Sequence, residues 1–221
     1  MKQAYLTIDD APSVNLKEKI DFLLKKKIPA ILFCEGRHII NNGKDDVIYA
    51  VKKGFVIGNH SFGHPHFSEL ELDKCLDEIK RTDEIIEEIY SIAKIERPIK
   101  IFRFPYGDRG GENKEKIQDY LRSLGYEQPK FKGITYPWYS SEGYDKDVDV
   151  FWTFDNRDYQ IGEGEYKENT LQDILKLIDE SEKLKSDSND IILSHDHERS
   201  HKHFKILIEA IQNKGINFIS L

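Results

Sequence analysis

Two histidines four residues apart, His60 and His64, stand in the stretch Gly58-Asn59-His60-Ser61-Phe62-Gly63-His64-Pro65. The stretch follows directly on the apolar run Gly54-Phe55-Val56-Ile57. Four-residue spacing puts both imidazoles on one side of a single turn, where both can reach one metal ion. A hydrolytic metal site needs three such ligands and an open fourth position, typically histidines with one carboxylate. Asp9-Asp10, at the end of the strand-like run Tyr5-Leu6-Thr7-Ile8, can supply the carboxylate. One aspartate would complete the ligand set, and the other would stay free to take a proton from a water activated there. Neighbouring side chains on an extended backbone point to opposite sides, so sharing these roles requires the chain to turn, as Ala11-Pro12 suggests. Alone, a His-x3-His pair reads more readily as a surface loop, and Asp-Asp equally well as a helix anchor.

The elements that must carry these groups follow from apolar periodicity. Strands are expected at Tyr5–Ile8, Ile28–Phe33, Phe55–Ile57, Ile99–Phe102, Gly133–Tyr136, Val148–Phe154, Asp190–Leu193 and Ile216–Ile219. Helices are expected over Asn15–Lys27, Arg37–Lys53, Asn113–Leu124 and Leu171–Lys185, with one more between the last two strands. Another long helix opens with Ser68 and Glu71 as a capping box and carries Leu72, Leu76, Ile79, Ile86 and Ile89 on one face. Strands alternating with helices imply a mainly parallel sheet, as an open doubly wound sheet or a closed β/α barrel. No Gly-x-Gly-x-x-Gly or Walker pattern follows a strand, which removes the usual nucleotide-binding reading. Instead Asp9-Asp10, His60/His64, Arg103, Asp155/Asp158 and His195 each lie just past a strand's carboxyl end. In a barrel those ends converge on one face.

Composition narrows the function further. A chain of 221 residues with 38% hydrophobic and 33% charged residues suits one α/β domain covering 1–221. A net charge of −7 argues against nucleic acid or an anionic membrane as main partner. No apolar run approaches the roughly 18 residues of a membrane span. Two cysteines, Cys34 and Cys75, make no disulfide framework. The amino terminus enters a strand at once with no signal-peptide pattern, so a cytoplasmic location is expected.

Five ordered stretches resemble the motifs of the polysaccharide deacetylases, carbohydrate esterase family four or the NodB-homology domain. They are Thr7-Ile8-Asp9-Asp10, His60-Ser61-Phe62-Gly63-His64-Pro65, Arg103-Phe104-Pro105-Tyr106-Gly107, Asp155-Asn156-Arg157-Asp158-Tyr159 and Leu193-Ser194-His195. The resemblance implies a distorted (β/α)7 barrel and one divalent metal, usually zinc, with cobalt, nickel or manganese as alternatives. It implies removal of N-acetyl groups from an N-acetylated carbohydrate. Asp9 becomes the base, and Asp10, His60 and His64 become the metal ligands. Arg103 would orient the base, and the Tyr106 backbone N–H would stabilise the oxyanion. His195 would be the acid, paired with Asp158, and Leu193 would line the acetyl slot. Tyr159 stands where the family usually has tryptophan, which alters that slot's wall. The aromatic insertion Tyr136 to Tyr144 has no place in the family pattern and reads as loop packing. His197 competes with His195 for the acid role. Two alternatives remain: hydrolysis of another C–N bond, in a small cyclic amide or a formylated lipid-linked sugar, and a catalytically silent sugar-binding barrel.

Overall fold

The computed structural model describes residues 2–161 and 169–221. Its strands are β1 (Gln3–Ala11), β2 (Ala30–Cys34), β3 (Val56–Asn59), β4 (Phe154–Asp155), β5 (Asp190–His195) and β6 (Asn217–Phe218). All pair in parallel in the order β3-β2-β1-β5-β4, with β6 against the start of β1. The two-residue alternation of β1 divides the core. Ala4, Leu6 and Ile8 face outward into an apolar layer with Leu32, Cys34, Ile57 and Ile192. That layer lies under helices α1 (Leu16–Lys26), α3 (Lys44–Lys52), α4 (Leu72–Ala93), α7 (Leu171–Glu180) and α9 (His201–Asn213), while α2 (Gly36–His38) is a single turn and α5 (Lys114–Ser123) buries Ile117 and Leu121 in a second cluster. Tyr5 faces inward with Ile31, Phe33, Ile101, Val150 and Ile191. Continuing the same parity upward gives Thr7 and Asp9 on β1, Leu193 and His195 on β5. The polar site is thus the top layer of an otherwise apolar barrel interior.

The ring closes irregularly. Phe102 bridges Asn59 on one side and Asp149 on the other. The segment leaving Asp149 then donates Thr153 N–H to the Ile191 carbonyl at 2.9 Å before β4 pairs with β5. The expected strands Ile99–Phe102 and Val148–Phe154 are therefore mostly single bridges, because one short segment serves two neighbours. With the bridge position at Phe102, and with β6 off the ring beside the start of β1, the described residues supply seven parallel strand positions, in keeping with the distorted barrel that the family resemblance implied.

Other expectations need correcting. Gly133–Tyr136 is not a strand: Gly133 has φ +75° and Pro137 opens the short helix α6 (Pro137–Ser141). Its aromatic neighbours Tyr136, Trp138, Tyr139 and Tyr144 pack onto the inward-facing cluster. The Ser68–Glu71 capping box does not form, because the Ser68 N–H and hydroxyl both donate to Asp108 Oδ2, at 3.0 and 2.7 Å. The helix starts only at Leu72, with Glu71 at its cap position. The stretch Arg37–Lys53 is interrupted by a wide turn at Ile39–Gly43, where Pro12 occupies the space a side chain at Gly43 would need. Leu171–Lys185 breaks at Ser181, whose hydroxyl accepts Leu184 N–H and starts a second short helix, α8 (Glu182–Lys185).

Candidate active site

Asp9 and Asp10 share a side because Asp10 is left-handed, with φ +62°. Strand alternation is broken at that one residue, so both carboxylates face the barrel mouth. The β1–β2 register also shifts between Ile8 and Ala11. The turn foreseen at Ala11-Pro12 thus begins one residue earlier.

Asp10 Oδ1 lies 3.1 Å from His64 Nε2 and 3.4 Å from His60 Nε2. Asp10, His60 and His64 form the group whose ligand atoms all lie within 4.8 Å of one another. The tautomer of His60 follows from its partner: Nδ1 is 2.8 Å from the Arg103 carbonyl, which can only accept. The proton sits on Nδ1, and the Nε2 lone pair is left for a ligand. Burial pulls the His60 pKa down, but Asp9 and Asp10 outweigh it and raise it above the ordinary value. The same two carboxylates favour a cation. Asp10 Oδ1 is buried without a hydrogen bond of good geometry. An orphaned carboxylate oxygen facing two imidazole lone pairs is the donor set of a divalent metal, and these residues fit one.

The histidine loop is held from beneath. Asn59 Oδ1 accepts Ser61 N–H at 2.9 Å, while Asn59 Nδ2 donates to Tyr126 Oη at 2.8 Å and the Ile79 carbonyl at 2.9 Å. Glu78 Oε2 accepts the N–H groups of Phe62 and Gly63 at 2.9 and 2.6 Å. Gly58 must lack a side chain, because a Cβ there would meet the Phe33 ring at 2.6 Å. That ring carries the Arg103 guanidinium 4.3 Å above its centre.

On one flank Arg103, 1% exposed, donates from Nη1 to Asp9 Oδ1 at 2.8 Å and to Thr7 Oγ1 at 2.7 Å. Its Nε donates to the Val150 carbonyl at 3.0 Å, so the fork is fixed on three sides. On the other flank Asp158, also 1% exposed, accepts Ser194 Oγ–H and His195 N–H on Oδ2, both at 2.8 Å. Its Oδ1 accepts His195 Nδ1–H at 2.7 Å. Burial alone would lower the His195 pKa, but the Asp158 charge and hydrogen bond raise it to about 9. Burial likewise opposes ionisation of Asp158, and His195 holds its pKa below the usual carboxylate range.

The groups open onto one cleft of about 750 Å³ lined by Asp9, Asp10, His60, His64, Tyr106, Tyr159, Leu193 and His195, among others. Arg103 and Asp158 sit behind this lining, each bonded to its partner within it. Tyr106 has φ +57° in the turn Pro105–Gly107 and projects 60% exposed beside the metal group. The Tyr159 ring meets His195 edge-on, with centroids 4.9 Å apart, and its hydroxyl donates to Asp155 Oδ2 at 3.3 Å.

A profile of the polysaccharide deacetylases matches residues 1–129, more than half of the chain. The chain belongs to that family. It is 31% identical over 104 residues to the peptidoglycan-N-acetylglucosamine deacetylase of Bacillus cereus, covering 47% of this chain and 36% of that protein. The chain thus spans about a third of the length of that relative. The family 4 carbohydrate esterase from Streptomyces lividans, solved with acetate, superposes with TM-score 0.68 at 21% identity, covering 99% and 92% of the two chains. A family 4 pseudoenzyme of Bacillus anthracis, BA3943, superposes with TM-score 0.68 at 19% identity, covering 99% and 64%. These likenesses support the same parallel α/β barrel.

Within this deacetylase-family site, some residues escaped the sequence reading. Trp152 lines the cleft; the inward parity of Val150 could have signalled it. Lys19 and Asp196 form an ion pair at 2.6 Å with side chains 1% and 0% exposed. Lysine on an apolar helix face offers no sequence sign of such a partner. Cys34 is simply buried at the end of β2, with its thiol pKa pushed up by burial. Of the other histidines, His66 stacks on Tyr106, with ring centroids 3.9 Å apart, and His201 pairs with Glu18. Among the described residues no helix is long and apolar enough to cross a membrane.

Proposed function

We propose that the chain, as one catalytic unit over residues 1–221, is a metal-dependent hydrolase that removes N-acetyl groups from amino sugars. The observation that carries this reading is the cleft that brings the Asp10/His60/His64 group together with Asp9, backed by Arg103, and His195, backed by Asp158. Asp10 Oδ1, His60 Nε2 and His64 Nε2 would hold the metal, zinc suiting two imidazoles and one carboxylate. When bound, it supplies Lewis acidity toward the amide carbonyl and toward water.

Asp9 takes the proton of the attacking water on Oδ2, since Oδ1 is engaged by Arg103. The Tyr106 N–H donates to the oxygen that becomes negative as the amide carbon turns tetrahedral. His195 gives a proton from Nε2 to the departing amine nitrogen, while Nδ1–H stays on Asp158. Leu193, with Trp152 and Tyr159 nearby on the cleft wall, gives the acetyl methyl an apolar slot. His195 rather than His197 suits the acid role, because it alone is paired with Asp158.

Acetate release from N-acetylated chitooligosaccharides and peptidoglycan fragments, with zinc supplied and then removed by chelation, tests the reading. Release that stops on chelation and returns with zinc is expected. Full activity in metal-free protein would overturn it. A silent sugar-binding barrel would bind these oligosaccharides without releasing acetate, and a hydrolase of another C–N bond would act only on cyclic amides or formylated sugars.

A further inference from the structure

His197 belongs to neither flanking pair. Its Nε2 lies 2.6 Å from Asp10 Oδ2, the oxygen turned away from His60 and His64. A carboxylate in this pairing accepts, so His197 Nε2 carries the proton and donates. The Nδ1 of the same ring is buried and finds no partner among the described residues, which leaves Asp10 as the ring's hydrogen-bonding target. The ring also lies nearly parallel to His195, at 23° with centroids 5.2 Å apart.

The backbone beneath His197 is anchored. Asp196 N–H donates to the Asp9 carbonyl at 2.8 Å. The Asp196 side chain accepts Ser13 N–H at 2.6 Å, Ser13 Oγ–H at 2.8 Å and Lys19 Nζ at 2.6 Å. Two loops are therefore clamped together one residue before the ring that grips Asp10.

We infer that His197 is a positioning residue that fixes the rotation of the Asp10 carboxylate, so that Oδ1 alone faces the imidazoles of His60 and His64. A free carboxylate would turn about its last bond or present both oxygens. With Oδ2 held by His197, only the orphaned Oδ1 remains for a cation. His197 itself is not a ligand, since it stands on the far oxygen and outside the group of converging donor atoms. The inference rests on the metal-site reading of the proposed function and adds an orienting donor behind the carboxylate.

Zinc affinity, measured by competition with a chromophoric chelator on metal-free wild type, His197→Ala and His197→Gln, tests it without reference to turnover. His197→Ala is expected to weaken zinc binding about 10–100-fold, the usual loss for an orienting partner of a ligand. His197→Gln, whose amide N–H can replace the Nε2 donor, is expected to recover most of that affinity. Thermal unfolding of the metal-free proteins monitors the fold. Affinity in a folded His197→Ala within about threefold of wild type overturns the inference. A glutamine variant as weak as the alanine one also overturns it, because an N–H donor returned to Asp10 Oδ2 would then not restore the site. Absence of zinc binding by the wild type itself would instead sink the metal-site reading on which both stand.

Discussion

Two buried carboxylate–cation pairs flank the cleft, Asp9–Arg103 and Asp158–His195, at 2.8 and 2.7 Å. Their geometry is alike, but their chemistry is opposite. Guanidinium cannot give up its proton under these conditions, so in the first pair the carboxylate is the only group able to take one. Imidazole can release its proton, so in the second pair the carboxylate loads its partner instead. In the proposed reaction the anion of the first pair does the work and the cation orients it; in the second the roles reverse. A barrel needs no special fold for base and acid, only a choice of which cation stands behind each carboxylate.

The sharpest way to break this comparison is to remove the working member of each pair. Asp9→Asn should cut the rate of acetate release by on the order of 10²–10⁴-fold while zinc content stays near wild type. Loss of metal with activity would mean that Asp9 and Asp10 exchange roles. His195→Ala should fall in the same range and leave metal content unchanged, whereas a larger loss from His197→Ala at saturating zinc would move the acid role to that ring.

Next come the orienting members. Arg103→Met leaves Asp9 buried beside no permanent cation, and unfolding should become easier by about 3–5 kcal/mol, read from denaturant midpoints. Asp158→Asn should act on pH rather than on the fold. With His195 at about 9, the protonated acid persists through neutrality and activity falls as pH rises through about 9. Without the Asp158 charge, burial is opposed only by the charges of Asp10 and Asp9, and the alkaline limb of the rate profile should move down by about one unit or more. The pair's contribution to stability has the same sign. It is complete below the ordinary histidine pKa of about 6.5 and is lost as pH rises through about 9. An unmoved alkaline limb would show that another group sets it. Smallest of all, Tyr159→Phe removes a hydroxyl contact of 3.3 Å and should change kcat/KM by less than about threefold.

Much of the site was legible because chemistry-bearing residues followed short apolar runs in a strict strand-then-helix order. Asp9, His60, Arg103 and His195 needed only the parity of their strands to be placed. What stayed hidden depends on partners distant in sequence. Ser68 looks like a helix cap until Asp108 claims it. Ile99–Phe102 has strand composition, yet barrel closure leaves it a bridge on either side at Phe102. Lys19 carries no sign in the sequence of the Asp196 carboxylate and the Phe204 ring that surround it, the latter's centre 5.2 Å from Nζ. The aromatic residues Tyr136 to Tyr144 find their place only where the barrel interior offers Tyr5 and Ile191 to cover.

Five of the non-glycine residues in left-handed backbone, Asp10 at the end of β1 and Ser61, His64, Tyr106 and Arg157 in the turns and loops beyond other strand positions, lie around the cleft. Such geometry costs an L-residue roughly 1 kcal/mol or more relative to glycine. A library selected for heat resistance alone would therefore drift toward glycine or asparagine along this rim. At Arg157 such clones should keep working, but at Ser61 they lose the hydroxyl that accepts the His64 N–H at 3.0 Å, and at Asp10 and His64, the proposed metal ligands, the hardier protein would be the dead one.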